Sequence, residues 1–474
     1  MAFRDEHHKV FALNAQIERI NFPSLTSTRG GFENGVFVVF KSAVFWYRQS
    51  MTTTSNRNLG LTRSLVRQTR RFFGWIAGAA IVFLIAFTAT AATKATNEVI
   101  YSFAGGADGE YLDTDVAIDA AGNLYGTSVL GGTFGGGTVW QLSQVNGSWV
   151  HTVLYNFTGG ADGGEPYKGV TLDAEGNLYG TAVTGGSGSC EGGCGVTYKL
   201  SKNGSTWTQT VLHAFTGADD GSGPGSRVTL DQHGNVYGMT PTGGAFGLGT
   251  IYTLRPKANN TWKLQVLHGF TGGVDGSSGS AGKMVFHQGA LYGAATTGGA
   301  YGHGTMFRLK AQNRGPWTFQ SIYSFRGDLD GSFPYGGLTI DLSDNIFGTT
   351  YYGGTDGVGT VFQLSFARGG WVNLVLYSFK SSTDGNSPIS NVVFDTVGNI
   401  YGTTSEGGLG SGTIFQLSPV PGGSWSETLA HVFAGSPDGA FPYSGMTPGA
   451  DNTFYGATVH GGANGEGSIY KFTP

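Results

Sequence analysis

Val170-Thr171-Leu172-Asp173-Ala174-Glu175-Gly176-Asn177-Leu178-Tyr179-Gly180-Thr181 is the stretch on which the architecture turns. Its two β-rich runs, Val170–Asp173 and Leu178–Thr181, flank a tight turn with the expected Gly and Asn. A Gly-rich loop leads to a third run, Gly195–Leu200, and a turn at Asn203-Gly204 leads to a fourth, Trp207–Phe215. Four short runs bounded by turn residues, with no helical period, predict a four-stranded antiparallel sheet the size of a propeller blade. A parallel β-helix coil is far shorter.

The unit recurs along the chain. Asp-Gly pairs stand at Asp108, Asp162, Asp220, Asp275, Asp330, Asp384 and Asp438. Aromatic-Gly pairs follow in register at Tyr125, Tyr179, Tyr237, Tyr292, Phe347, Tyr401 and Tyr455. The spacing is about 54 residues, with extra residues of one long step around Cys190–Cys194. The ends are offset. Val99-Ile100-Tyr101-Ser102-Phe103 matches the fourth run of a unit, whereas Ser468-Ile469-Tyr470-Lys471-Phe472 matches the third. An open solenoid gains nothing from that offset; a ring gains closure and loses its exposed edges. The expectation is all-β: a seven-bladed β-propeller over 99–474, closed by an N-terminal strand completing the last blade.

Within the unit, Gly126, Gly180 and Gly238 interrupt the second strand, which predicts close approach of backbone or an aromatic ring. Trp149, Trp207, Trp262, Trp317, Trp371 and Trp425 recur at the start of the fourth strand and read as packing between blades. The recurrent Asp-Gly pairs read as turn chemistry, Asp capping its own backbone and Gly taking positive φ.

Composition agrees with a folded chain. Gly is 83 of 474 residues without a Gly-X-Y period, and aromatics reach 13%. Residues 1–96 take 12 of the 27 Lys/Arg and 4 of the 31 Asp/Glu, leaving 15 basic and 27 acidic residues after them. That balance argues against nucleic acid as a partner.

Arg57, Arg63, Arg67, Arg70 and Arg71 precede an apolar run from Phe72 to Phe87, and Ala89-Thr90-Ala91 follows. Basic, apolar and small regions in this order predict a signal peptide over 51–91 and a secreted, extracellular or cell-surface chain, with the periplasm as a further compartment. Thr69-Arg70-Arg71-Phe72-Phe73 loosely resembles a twin-arginine export signal. The membrane is a partner only if the 72–92 segment stays uncleaved as an anchor. Residues 1–50 share nothing with the rest and read as an extension upstream of a start at Met51; 92–98 is a linker.

The pattern Gly-Gly-x-Asp-Gly … Leu-x-x-Asp-x-x-Gly-Asn-Leu-Tyr-Gly-Thr-Thr … Gly-Thr-Val-Phe-x-Leu resembles the GloVer tandem repeat of bacterial extracellular proteins. Leu338–Asp341, Phe347–Thr350, Gly353-Gly354 and Gly359–Leu364 carry it in one unit. The resemblance covers about 99–474 and implies export. It supplies no catalytic residues to carry over.

In a ring of similar blades, a unique site shows as departures from the repeat. The residue starting each first strand is Asp115, Gly169, Arg227, Lys283, Gly337, Asn391 and Gly445 in turn. The departures Asp115, Arg227, Lys283 and Asn391 are therefore the candidate binding residues at the channel mouth, against the plainer reading of solvated rim groups. Strand order puts the long Gly-rich loops on one face, where ligands belong. Asp108, Glu110, Asp113 and Asp115 form the densest acidic group and are the calcium candidate. His213, His268 and His431 stand where other blades hold Tyr and read as packing variants. His233, His287, His303 and His460 match no metal spacing.

Cys190 and Cys194, the two cysteines of the chain, predict a disulfide in an exported protein. No nucleophile elbow, phosphate loop or zinc motif is present. The leading expectation is a monomeric, non-catalytic binding scaffold for a glycan, peptide or surface component, without a cofactor. The alternatives are a polysaccharide hydrolase or lyase with acids at the channel, and a calcium-stabilised ring.

Overall fold

A computed structural model describes residues 95–474 except 280, 281, 313, 314 and 381–383. The segments expected to be an upstream extension and a signal peptide lie outside the described residues. Seven four-stranded antiparallel sheets follow one another, and six are continuous in sequence. Blade 2 is typical: Thr171–Leu172, Leu178–Ala182, Val196–Asn203 and Thr206–Ala214. Blade 7 takes Thr447–Pro448, Phe454–Thr458 and Ser468–Thr473 from the end of the chain and Thr96–Ser102 from its beginning. The register runs from Thr96↔Thr473 to Ser102↔Ser468, so the closing strand begins three residues before the expected Val99.

The closing strand is a true fourth strand. Its register shifts between Val99 and Tyr101. The same irregularity recurs in the third-to-fourth pairing of blade 1, at Val139/Trp140, and of blade 6, at Ile414/Phe415. Such a bulge bends and twists a strand, and here it is part of the repeat.

The glycine of each aromatic-Gly pair has one cause. A Cβ at Gly180 would lie 2.4 Å from Tyr198 Oη, and at Gly126 2.3 Å from Trp140 Cζ2. The third strand lays a ring flat across the second, and only glycine leaves room. The Leu-x-x-Asp element is equally local. Asp173 accepts the Asn177 backbone and side-chain N–H groups, both at 2.8 Å, the Glu175 N–H at 3.0 Å and the Tyr179 hydroxyl at 3.1 Å.

Blades are joined by packing and hydrogen bonds around the axis. The apolar clusters span neighbours; one gathers Phe103, Leu112, Val116, Trp140, Ala457 and Ile469 across blades 7 and 1. Trp149 meets Tyr455 of blade 7 edge-on at 6.2 Å, and Trp371 meets Tyr292 of blade 4 at 6.4 Å. The Thr171 hydroxyl donates to the Val228 carbonyl of the next blade at 2.7 Å, and Thr447 donates to Val116 at 2.5 Å. That last bond joins blade 7 to blade 1 at the axis.

The seven Asp residues of the Asp-Gly pairs each hold a partner in the preceding fourth strand. Tyr101, Tyr155, Tyr323 and Tyr377 donate their hydroxyls to Asp108, Asp162, Asp330 and Asp384. His213, His268 and His431 replace the tyrosines and pair with Asp220, Asp275 and Asp438 at 2.9 Å. The histidines are thus part of the scaffold.

Candidate functional site

At one equivalent position the loop leading into each blade holds a left-handed residue: Tyr111, Glu165, Gly223, Ser278, Phe333, Ser387 and Phe441, with φ between 55° and 64°. Blade 3 uses glycine, which takes this conformation without strain. Three loops instead place an aromatic residue there, at a cost of about 1–2 kcal/mol each. The strain is held by backbone bonds: Phe333 O accepts Tyr351 N–H at 3.0 Å and Phe441 O accepts Val459 N–H at 3.1 Å.

Over blades 5 to 7 these loops build a cup. Phe333, Tyr335, Tyr351, Tyr352, Ile389 and Tyr443 line a cavity of about 400 Å³, with Lys168, Ser405 and Glu406 as its polar members. The rings brace one another edge-on: Tyr335–Tyr351 at 5.6 Å, Tyr351–Tyr352 at 4.4 Å and Phe333–Tyr352 at 5.9 Å. Tyr352 remains 48% exposed, so its face is available to a ligand. Burial raises the Tyr351 and Tyr443 phenols above their ordinary range, and each stays a neutral donor at physiological pH.

Lys168 crosses the channel mouth from the loop entering blade 2. Its ammonium contacts Asp113 at 2.5 Å and reaches the Tyr443 carbonyl at 3.5 Å. Burial lifts the Asp113 carboxyl above the usual carboxylate range, with Lys168 opposing.

Two of the four channel-mouth candidates meet in a crevice that shares lining residues with the cup. Asp115 and Asn391 line one narrow crevice with Gly337 and Gly445. Asp115 accepts the Gly445 N–H at 3.1 Å, and Asn391 fills the space where a Cβ on Gly445 would lie 1.8 Å from its Oδ1. Arg227 donates from Nε to Thr171 Oγ1 at 3.3 Å. Burial lowers the Arg227 and Lys283 affinities for a proton, and Asp115 acts on both to raise them.

The acidic quartet does not converge. Asp108 is taken by Tyr101 at 2.9 Å, Ala104 N–H at 2.8 Å and His151 at 3.0 Å. Asp113 is held by Lys168 and Asp115 by the blade 7 backbone, while Glu110 lies in a backbone bridge with Leu130. Among the described residues no three His, Cys, Asp or Glu side chains are grouped to hold a metal. Close spacing in sequence is undone because each carboxylate faces a different neighbour.

Cys190 and Cys194 are joined, with Cα atoms 5.1 Å apart. The bond packs at the seam with blade 3, where Cys190 Sγ lies 3.3 Å from Ser222 Oγ. Being local, it pins its own loop and crosslinks no blades.

None of the residues lining the cup was a candidate from the sequence, and Tyr351 and Tyr352 are the pair with the clearest signal. The corresponding pair is Val129-Leu130 in blade 1, Val183-Thr184 in blade 2, Pro241-Thr242 in blade 3 and Ser405-Glu406 in blade 6. The same departure-from-repeat test, applied just after each second strand, would have found them.

Fold and site together define a seven-bladed β-propeller repeat protein with a ligand-sized cup on its loop-rich face. The chain belongs to the Gloeobacter/Verrucomicrobia repeat family, whose model matches 82–285, 187–409 and 280–474. No curated protein matches it. Among solved structures, it is similar to a protein of unknown function from Dyadobacter fermentans at 11% identity, covering 71% of this chain and 97% of that one, with a TM-score of 0.40. A protein from Lactobacillus plantarum is similar at 13% identity, covering 74% and 99%, with a TM-score of 0.46. A thermostable family-43 glycoside hydrolase is similar at 16% identity, covering 60% and 99%, with a TM-score of 0.33. At these scores the likenesses carry no functional argument.

Proposed function

We propose that this chain is an exported carbohydrate-binding propeller that receives a sugar in the aromatic cup. The carrying observation is the convergence of Phe333, Tyr335, Tyr351, Tyr352 and Tyr443 on one cavity with Lys168, Ser405 and Glu406 among them. Aromatic faces suit the C–H faces of a pyranose, and the interspersed polar groups suit its hydroxyls. The basic, apolar and small segments of 57–91 support an extracellular setting, where polysaccharide is available.

Hydrolysis asks for two carboxyl groups flanking one bond, roughly 5–9.5 Å apart. Among the described residues Glu406 is the one carboxylate lining the cup, which favours binding over cleavage. A glycan and peptide array with the purified chain tests the reading. Oligosaccharides should be retained, and Tyr352→Ala should weaken retention at least tenfold. Retention of peptides alone, or indifference to Tyr352→Ala, would sink it.

A further inference from the structure

The cup has a charged floor. The seven residues that start the first strands surround the axis, and three of them are glycine, at positions 169, 337 and 445. Asp115, Lys168, Gly337, Ile389, Asn391, Tyr443 and Gly445 are among the residues lining a crevice of about 10 Å³, room for about one water-sized group. Lys168, Ile389 and Tyr443 also line the cup, so the crevice opens from its floor. A sugar ring is far too large for the crevice; the tip of a charged substituent is not.

The charges around it do not balance. Lys168 is matched by Asp113. Lys283 follows the lining residue Gly282, and its backbone N lies 3.6 Å from where a Cβ on Gly337 would stand, whereas Arg227 sits further out; the carboxylate acting on both is Asp115, which already accepts a backbone N–H. Among the described residues neither Arg227 nor Lys283 makes an ion pair, and the one side-chain bond from Arg227 goes to a neutral hydroxyl. Burial and the neighbouring Arg227 bring Lys283 down to about 8, with Asp115 opposing. Three cations at the axis are also three of only 15 basic residues beyond position 96, in a region with 27 acidic ones. An acidic protein that gathers scarce cations in its channel has built a local trap for negative charge.

Resting on the sugar-binding reading, we infer that the sugar is acidic, its ring in the aromatic cup and its anionic substituent directed into the channel toward Lys168, Lys283 and Arg227. The shared chemistry is a compact oxyanion on a pyranose, from either a uronate or a sulfate ester. Lys168 has three N–H donors and two acceptors, leaving one for the ligand.

Calorimetric titration of the full chain with oligogalacturonate, with its methyl ester and with a sulfated neutral oligosaccharide tests this. The acid form should bind at least tenfold tighter than the ester at low salt, and this ratio should shrink as pH passes about 8, where Lys283 loses its proton. Lys283→Met and Arg227→Gln should each cut the ratio at least fivefold. Arg227→Lys, which keeps the charge, should restore most of it and guards against a folding defect. Preference for the sulfated probe over its neutral parent supports the inference with sulfate as the source. Equal affinity for acid and ester, without preference for sulfate, overturns it and leaves the cup reading standing. A ratio that survives both charge-removing variants does the same. Failure of every sugar to bind overturns both.

Discussion

The two sides of blade 6 differ at one position of the repeat. At several seams the side chain two residues after the tryptophan position of the fourth strand faces the Tyr-Asp or His-Asp pair of the preceding blade. At the seam between blades 6 and 7 this residue is Asn97, which donates to Asp438 Oδ1 at 3.2 Å and lies 3.3 Å from His431 Nε2. Burial would raise the Asp438 carboxyl, but His431, the Ala434 N–H and Asn97 outweigh it and hold it below its usual range. At the seam between blades 5 and 6 the residue is Glu427, facing Asp384, which is already bonded to Tyr377 and the Lys380 N–H. Glu427 Oε1 is buried without a partner. Burial first, then Asp384, raise it to about 7, with Lys380 opposing. The same backbone therefore hosts a satisfied carboxylate on one side and two competing carboxylates on the other.

The pH responses have opposite signs. A depressed carboxyl such as Asp438 stabilises above its unfolded pKa, and that contribution is lost as pH falls through the folded value. A raised one such as Glu427 favours the folded state below its unfolded pKa, near 4.5, and that advantage is lost as pH rises through about 7.

The largest effect should come from packing, where the seams are alike. Phe379 and Phe433 are fully buried equivalents. Replacing either by Ala should cost about 3–5 kcal/mol in denaturant unfolding; a large inequality would mean that the seams differ in more than charge. Next is Gly402→Ala within blade 6, whose new Cβ would lie 2.5 Å from Phe415 Cζ. Overpacking of this kind costs about 1–3 kcal/mol, and no loss would mean that the ring can slide.

Asn97→Asp should turn the quiet seam into the crowded one. Thermal unfolding at pH 8 should show a loss of about 1–2 kcal/mol, shrinking near pH 4 as carboxylates protonate. A loss independent of pH would point to the missing hydrogen bond rather than to repulsion. The smallest effect is Glu427→Gln. Because Glu427 is half-exposed, solvent screening leaves about 1 kcal/mol or less of stabilisation at pH 8, and none is expected near pH 4.5. Destabilisation at pH 8 would overturn the reading of this seam.

Legibility followed the distance over which information is carried. The Gly180–Tyr198 approach, the Asp173 turn and the Cys190–Cys194 bond each lie within a few dozen residues, and each was readable from spacing. Closure was readable because the offset of matching runs survives in linear order. Tyr351-Tyr352 was overlooked only because departures were sought at the first strand alone. Left-handed backbone at Tyr111, Phe333 and Phe441 left no such trace, since the seven blades meet the requirement with five residue types and only one of them with glycine.

Seven repeats, their internal strand order and the pairing of first with last follow from the chain alone, because periodic apolar runs and turn residues act over short range. Which carboxylate meets Lys168 followed from the docking of neighbouring blades, and which loops share a cavity followed only from closing the ring. Lys168 and Tyr443 are 275 residues apart in sequence yet 3.5 Å apart at the axis. No local rule spans that interval. Curvature accumulated over seven blades does.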